Sequence, residues 1–280
     1  MPNLKNFLNF IKIEHTLFSL PLIYSGVFLA SKDLPSVELL VLILFAAVGA
    51  RTTALVLNRI IDREIDKRNP RTSDRELASG RLTIREASAT LAGGIILYLA
   101  SAALISTFCL IIAPIPLAIF VAYPYMKRYT PLAHFGVGLG LAMAPLGGWF
   151  AVQQSLESPG PAILLTLFTV LWVAGFDIIY STLDELFDRK EHLYSFSSRY
   201  GKKTALRISA FLHAAAFVIL VILFVSYVRA AASFVFLLCS GYLLYLEHKK
   251  SEDVELAFFR INAVLGFAVL GMVVSGVYFG

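Results

Sequence analysis

The chain has few charged residues and few cysteines. Asp, Glu, Lys and Arg make up 15% of its 280 residues, whereas hydrophobic residues make up 58%. This composition excludes an ordinary soluble globular protein and predicts an integral membrane protein. Cys109 and Cys239 lie in apolar segments without a ligand spacing, so neither a disulfide framework nor a thiolate metal cluster is expected. The histidines also lack a ligand spacing, and we assign no role to His15, His134, His192, His213 and His248.

Long apolar runs occupy nearly the whole chain. Eight of them are long enough to cross a hydrocarbon core of ~30 Å, and a shorter ninth run is interrupted by Pro114 and Pro116. The long runs cover residues 13–31, 37–58, 84–106, 132–152, 162–183, 204–227, 230–247 and 256–279, and the short one covers 108–123. We predict an all-α integral membrane fold of about nine transmembrane helices, with residues 1–280 forming one domain in the lipid bilayer. No cleavage pattern follows the first run, so we expect the mature protein to keep it.

Basic residues are distributed unevenly between the two sides of the predicted bundle. If the N-terminus lies inside, 20 of the 24 Lys and Arg residues fall on the inner side, and the linker 153–161 on the outer side has none. Short cytoplasmic loops carry an excess of positive charge. The sequence therefore predicts an inside N-terminus, and it places the polar loops after the second and sixth runs at the cytoplasmic face.

Two pairs of aspartates follow these same two runs. Asp62 and Asp66 are four residues apart, and so are Asp184 and Asp188. Residues at this spacing lie on one side of a helix, so we expect each pair to direct its carboxylates the same way from a helix end. The duplication predicts two pseudo-repeated halves, whose facing carboxylates would form a site for hard cations.

The residues around these pairs indicate which ligand the bound metal ions would hold. Mg²⁺ prefers oxygen ligands and commonly binds one or two carboxylates together with substrate phosphates. Basic residues in the same cytoplasmic region would stabilise a diphosphate leaving group; they are Arg71, Arg75, Arg81, Lys127, Arg128, Arg199 and Lys203. In a membrane, the natural diphosphate is that of a polyprenyl chain, and no nucleic-acid partner is expected. Aromatic rings near the polar end could stabilise an allylic cation; they are Tyr123, Tyr125, Phe135, Trp172, Phe176 and Tyr180.

Three motifs resemble the signatures of the UbiA superfamily of intramembrane prenyltransferases. The first is Asn58-x-x-x-Asp62-x-x-x-Asp66, followed by Asn69-Pro-Arg71-Thr-x-x-Arg75-x-Leu-x-Ser79-Gly80. The central one is Tyr123-Pro-Tyr-x-Lys127-Arg128-x-Thr130. The last is Asp177-x-x-Tyr180-x-x-x-Asp184-x-x-x-Asp188. They occur in the order of the family and cover about 50 to 201.

The resemblance implies nine helices around a central cavity that opens to lipid, dependence on Mg²⁺, and transfer of a prenyl group to an aromatic acceptor. It implies that metal and diphosphate are held by Asn58, Asp62, Asp66, Asp184 and Asp188. Diphosphate contacts are expected from Lys127 and Arg128, and further substrate contacts from Arg71, Arg75, Tyr123 and Tyr180. Two positions depart from the family pattern, because Arg59 replaces an acidic residue and Leu183 replaces a glutamine. Both bear on the identity of the acceptor.

Arg51 and Asp177 are charged residues inside predicted spans, where charge usually faces a polar cavity or a partner. Arg51 precedes Asn58 by seven residues, two helical turns on nearly the same face. It could bind an acceptor carboxylate or the diphosphate, or it could form a structural ion pair with Glu14. Asp177 precedes Asp184 by the same interval, and it could act as a base, orient an acceptor hydroxyl, or make a structural hydrogen bond.

From the resemblance we expect the chain to prenylate an aryl acid such as 4-hydroxybenzoate in quinone biosynthesis. Prenylation of a naphthoate, a tetrapyrrole or a glycerophosphate is the alternative within the superfamily. A cation-coupled secondary transporter could also carry repeated carboxylates, but its site would lie near the membrane midplane. A non-catalytic scaffold would leave the aspartates dispensable.

Overall fold

The computed structural model describes residue 10 and residues 16–31, 33–254 and 260–280. These residues form helices and connecting loops, and no strand occurs in the described ranges. The helices in chain order are α1 (Thr16–Ala30), α2 (Val37–Ile61), α3 (Arg63–Arg68), α4 (Ile84–Ile105), α5 (Thr107–Ile112), α6 (Pro114–Met126), α7 (Ala133–Gln153), α8 (Gly160–Ser181), α9 (Glu185–Lys190), α10 (Phe196–Tyr200), α11 (Lys202–Tyr227), α12 (Ala231–Lys249) and α13 (Asn262–Phe279).

The predicted set of about nine spans is confirmed in the described part of the chain. Eight segments are long and apolar enough to cross a membrane, and the apolar stretch Ser19–Ala30 of α1 adds a shorter one. The interrupted run at 108–123 is one of the eight, because α5 and α6 together form the segment Thr107–Met126. Its division at Ala113 follows from Pro114, which begins α6 and has no N–H to donate into the preceding turn. The protein is therefore a multi-pass membrane protein.

The helices α7 and α8 form the centre of the bundle. They pack against each other, while α7 also contacts α1 and α8 also contacts α11. The close approach of α1 and α7 depends on glycine, because an added Cβ on Gly26 would lie 1.9 Å from the carbonyl oxygen of Pro145. On the partner helix, a Cβ on Gly148 would lie 2.0 Å from the carbonyl oxygen of Ile23. Small residues allow this backbone contact, as they do in other membrane bundles.

A hydrogen bond links separate parts of the chain at each end of the bundle. At one end, the backbone N–H of Tyr194 donates to the carbonyl oxygen of Lys127 at 2.7 Å, which joins the loop after α6 to the loop after α9. At the other end, the side chain of Gln153 donates to the carbonyl oxygen of Ala30 at 2.7 Å. Both aspartate motifs lie at the first of these ends, so the fold brings the two polar loops together.

Candidate active site

Each aspartate pair lies at a break between a long helix and a short one. Asp62 separates α2 from α3, and Asp184 precedes α9 in the same way. Their backbone angles are nearly equal, with φ −95° and ψ 3° at Asp62 and φ −106° and ψ 7° at Asp184. In both cases the N–H of the second aspartate, Asp66 or Asp188, donates to the carbonyl oxygen of the first at 2.8 Å. Each pair therefore lies where a long helix ends and a short separate helix begins, and one helical turn separates its two aspartates.

Cations and an amide surround the first aspartate of the first motif. Lys127 Nζ lies 2.6 Å from Asp62 Oδ2, and Arg128 Nη2 lies 3.4 Å from Asp62 Oδ1. The Asn58 side chain donates to Asp62 Oδ2 at 3.1 Å. Asp62 is only 2% exposed, so these partners satisfy a carboxylate that has been almost entirely removed from solvent.

The second aspartate of this motif has a separate cation. Arg75 Nη1 donates to both carboxylate oxygens of Asp66, at 3.0 Å and 2.9 Å. Asp66 is also buried, while Arg75 remains partly exposed at the surface of the site. The loop that follows the first motif therefore folds back to neutralise it.

The same loop also crosses to the second motif. Arg71 binds both oxygens of Asp184, with its Nε donating to Oδ1 at 2.9 Å and its Nη2 forming a shorter bond to Oδ2. Its Nη1 donates to the Tyr180 hydroxyl at 2.6 Å, and the guanidinium carbon lies 4.8 Å from the Tyr180 ring centroid. Asn69 Nδ2 donates to Asp184 Oδ1 at 2.8 Å. Asn69 is part of the motif quoted above, but it was not predicted as a site residue.

Cations are shared between the two motifs. Besides its ion pair with Asp62, Lys127 interacts electrostatically with Asp188, and Arg75 interacts with Asp184 as well as with Asp66. A carboxylate from each motif therefore lies near the same basic side chain. The two pairs therefore border the same group of basic side chains.

Burial and ion pairing affect the charge of this region. Burial raises the pKa of the Asp62 carboxyl, even though Lys127 and Arg128 favour its ionised form. Burial acts to lower the pKa of Arg71, but its hydrogen bonds to Asp184 and Tyr180 outweigh that effect and raise it. Arg71 is thus firmly cationic, whereas ionisation of Asp62 would be assisted by any additional cation beside it.

A cavity of about 350 Å³ lies next to the motifs. Most of its lining is apolar, and it includes Phe120, Phe150 and Phe176. Its polar lining is formed chiefly by Arg51, Tyr123 and Asp177, which come from α2, α6 and α8. Tyr123 lies within electrostatic range of both Asp62 and Asp177, so the polar part of the cavity adjoins the first aspartate pair. Such a cavity can hold an apolar chain with its polar head at the carboxylates.

Arg51 contributes an unmatched donor to this cavity. Its Nε is buried and has no hydrogen-bond partner among the residues that the structure describes. The alternative partner Glu14 lies outside the described residues. A buried guanidinium N–H without a partner is costly, so a ligand acceptor at this position would be stabilising.

The surroundings of Trp172 and His134 differ from what the sequence predicted. Trp172 was expected to help stabilise a cation, but it is fully buried in the core, where its Nε1 donates to Asn262 Oδ1 at 2.7 Å. His134 was assigned no role, but its Nδ1 lies 2.6 Å from Asp177 Oδ2. No local signal marks this pair, because the two residues are on different helices and 43 positions apart.

Comparison with known proteins identifies the family. The UbiA prenyltransferase family matches residues 19–264, which is most of the chain. The chain belongs to the UbiA prenyltransferase family. The apo structure of a UbiA homolog from Aeropyrum pernix K1 is similar over 95% of this chain and 98% of that one, with 35% identity and a TM-score of 0.83. A UbiA homolog from Archaeoglobus fulgidus, solved with GPP and Mg²⁺, shares the fold at 20% identity and a TM-score of 0.71.

Curated relatives include 4-hydroxybenzoate octaprenyltransferases. The protein from Vibrio atlanticus is 29% identical over 254 residues, which cover 86% of this chain and 85% of that protein. The protein from Alkalilimnicola ehrlichii is 31% identical over 179 residues, covering 63% and 60% respectively. Several of the alignments thus span only about three fifths of the relatives' length. Membership of this family confirms the resemblance seen in the three motifs.

The site of this UbiA family member suits a metal that is bound jointly with a substrate. Among the described residues, no group of three or more His, Cys, Asp or Glu side chains is placed to hold a metal ion. The carboxylates are instead arranged as two pairs beside Lys and Arg. This donor set fits Mg²⁺, which commonly takes one or two protein carboxylates and completes its shell with phosphate oxygens and water.

Proposed function

We propose that this chain transfers a prenyl group from a polyprenyl diphosphate to an aromatic acceptor of the 4-hydroxybenzoate type, as a step of quinone biosynthesis. One observation carries the proposal: two aspartate pairs that share Lys and Arg side chains adjoin an apolar cavity containing Arg51, Tyr123 and Asp177. The pairs suit the head of a prenyl diphosphate, the apolar walls suit its tail, and the polar part of the cavity suits a small acceptor.

The carboxylates and cations would exchange partners when substrate binds. Metal and diphosphate would be held by Asn58, Asp62, Asp66, Asp184 and Asp188. Bound Mg²⁺ would supply positive charge to the departing diphosphate and so lower the barrier to ionisation. The basic side chains freed from these carboxylates can then donate to phosphate oxygens; they are Arg71, Arg75, Lys127 and Arg128. Tyr180 keeps the Arg71 guanidinium in place through the contacts described above.

The transfer breaks one bond and forms another. The bond between C1 of the prenyl group and the diphosphate oxygen breaks, and both electrons leave with the diphosphate. The rings of Tyr123 and Phe176 line the cavity, where aromatic faces can stabilise the allylic cation. A ring carbon of the acceptor supplies the electron pair of the new carbon–carbon bond, and its proton is lost to water.

Arg51 and Asp177 suit the two polar groups of such an acceptor. The guanidinium of Arg51, whose Nε has no partner among the described residues, can bind a carboxylate, which supports an aryl acid over a neutral acceptor. Asp177 can accept the hydrogen of a ring hydroxyl, which increases electron density at the neighbouring ring carbon. Naphthoate, tetrapyrrole and glycerophosphate acceptors also carry acidic groups, so an acceptor panel must include them.

The cation-coupled transporter is the less favoured function. Its site would be near the midplane, whereas the aspartates here lie at the ends of α2 and α8. We also propose that these ends face the cytoplasm and that the N-terminus lies inside, because the basic residues concentrate on this side.

The decisive experiment offers the purified protein labelled geranylgeranyl diphosphate and a panel of acceptors, with Mg²⁺ or with a chelator. We expect a prenylated aryl acid only when Mg²⁺ is present. Asp62→Ala and Asp184→Ala should each lower kcat by about 100-fold or more, as the loss of a group stabilising transition-state charge does. Glu64→Ala is the matched control, since Glu64 lies on α3 but its side chain is exposed and pairs with Lys67. Near-normal turnover in either aspartate variant would overturn the assignment of the two pairs.

A further inference from the structure

Asp177 is held by a buried histidine from the neighbouring helix. His134 lies at the start of α7, and its Nδ1 is 2.6 Å from Asp177 Oδ2. The His134 side chain is 5% exposed, compared with 22% for Asp177, so the histidine lies behind the carboxylate as seen from the cavity. No other hydrogen bond to the Asp177 side chain is found in the described part of the chain, which leaves its second oxygen for a ligand.

The surroundings of His134 determine which ring nitrogen carries the proton. The backbone N–H of Phe196 donates to His134 Nε2 at 3.3 Å, and this bond requires a lone pair on Nε2. In the neutral ring the proton is then on Nδ1, from which it is donated to Asp177. The His134 and Phe196 rings are stacked, with centroids 5.7 Å apart and an interplanar angle of 26°. The ring is therefore fixed in both orientation and tautomer.

The anchor for this ring is the segment that follows the second aspartate pair. Ser195 caps α10 by accepting from the Ser198 N–H, and Phe196 is the first residue of that helix. His134 also lies within electrostatic range of Asp188. The orientation of Asp177 is thus tied to the part of the chain that carries the second carboxylate pair.

We propose that His134 is a positioning residue for the acceptor, acting through Asp177. By donating to Oδ2, it holds the carboxylate in one orientation and leaves the other oxygen to accept from the acceptor hydroxyl. The inference rests on the proposed prenyl transfer and adds a residue that does not touch either substrate. It also restricts the acceptor class to molecules with a hydrogen-bond donor beside the reacting ring carbon.

If His134 served only to fill space, different substitutions would be tolerated at this position. If the ring only filled space between α7 and α10, an apolar residue such as leucine would replace it best. If the Nδ1 donor is what matters, asparagine should replace it best, because asparagine Nδ2 occupies the equivalent position one bond beyond Cγ. Glutamine places its amide one bond further along, near the position of Nε2, and should not restore the contact.

The test measures initial rates for His134→Asn, His134→Gln and His134→Leu while each substrate is varied in turn. We expect His134→Leu and His134→Gln to lower kcat/KM for the aryl acceptor by about tenfold to a hundredfold, the range found when partners that orient metal ligands are removed. His134→Asn should stay within about threefold of the unaltered protein. The KM for prenyl diphosphate should be unchanged in all three, because the aspartate pairs keep their partners.

Ile208→Ala is the packing control, since Ile208 packs against the same apolar cluster as Phe196 while the contacts of His134 stay in place, and its acceptor kinetics should remain close to normal. The positioning role would be overturned if His134→Asn and His134→Gln lost equal amounts of kcat/KM for the aryl acceptor. Unaltered kinetics in His134→Leu would also overturn it. The comparison of asparagine with glutamine remains decisive even if the leucine variant does not fold. Absence of prenyl transfer by the unaltered protein with every acceptor is a separate result and would overturn the proposed function.

Discussion

At the scale of single residues, the candidate site is built from charges that neutralise one another in this structure. Lys127, Arg71 and Arg75 each pair with a motif aspartate. A metal and a phosphate can replace these pairs without leaving any charge unmatched, since the metal takes the carboxylates and the phosphate takes the cations. Breaking a buried ion pair by removing one partner is costly, whereas exchanging both partners avoids that cost.

Arg51 differs from these cations because its Nε has no partner in the described structure. We predict that Arg51→Ala raises the KM for a carboxylate-bearing acceptor by about tenfold or more, the effect of losing a hydrogen bond to a charged group. Steady-state kinetics with 4-hydroxybenzoate and with its methyl ester will check this. The ester is the control, since it cannot form the ion pair and its KM should change little. An unchanged KM for the acid would reject the carboxylate contact.

At the scale of helices, the sequence predicts the elements better than the contacts between them. Apolar runs gave the spans because membrane helices must satisfy their backbone internally, so their length follows from the bilayer. The division of the Thr107–Met126 segment at Pro114 could also be predicted from the sequence. The breaks at Asp62 and Asp184 could not be predicted, since i, i+4 spacing is the same within one long helix and within a short separate one.

Contacts between distant parts of the chain were beyond sequence reasoning. Arg71 reaches Asp184 across 113 positions, and His134 reaches Asp177 across 43. Neither pair leaves a periodic or local pattern. The family motifs nevertheless marked Arg71 and Asp184 as candidate site residues, whereas no motif marked His134.

Adjacent glycines in α7 allow a test of helix packing. A Cβ on Gly148 would lie 2.0 Å from the carbonyl oxygen of Ile23, whereas a Cβ on Gly147 would meet no atom of the described residues within 4 Å beyond its own stretch of helix. We predict that Gly148→Ala destabilises the protein by about 1–3 kcal/mol, because α1 must move away. Gly147→Ala is the matched control and should leave stability nearly unchanged. Thermal unfolding in detergent compares the two, and equal Tm values would contradict the backbone contact between α1 and α7.

At the scale of the whole molecule, function depends on the two ends of the bundle being different. One end carries both aspartate pairs and the loops joined by the bond between Tyr194 and Lys127. The opposite end carries the linker between α7 and α8, which has no basic residue. A hydrophobic prenyl diphosphate can reach such a site from the bilayer with its charged head at one interface, so the orientation of the bundle decides which side supplies the metal and acceptor.

Cysteine labelling can determine this orientation. In a chain with Cys109→Ala and Cys239→Ala, single cysteines are introduced as Asp74→Cys at the motif end or Glu157→Cys at the opposite end, both at exposed positions. Because short cytoplasmic loops retain Lys and Arg, we predict that a membrane-impermeant maleimide labels Glu157→Cys in intact cells. Asp74→Cys should be labelled only after permeabilisation, and the cysteine-free chain not at all. The reverse pattern would place the aspartate pairs outside, and diphosphate and acceptor would then have to come from that side.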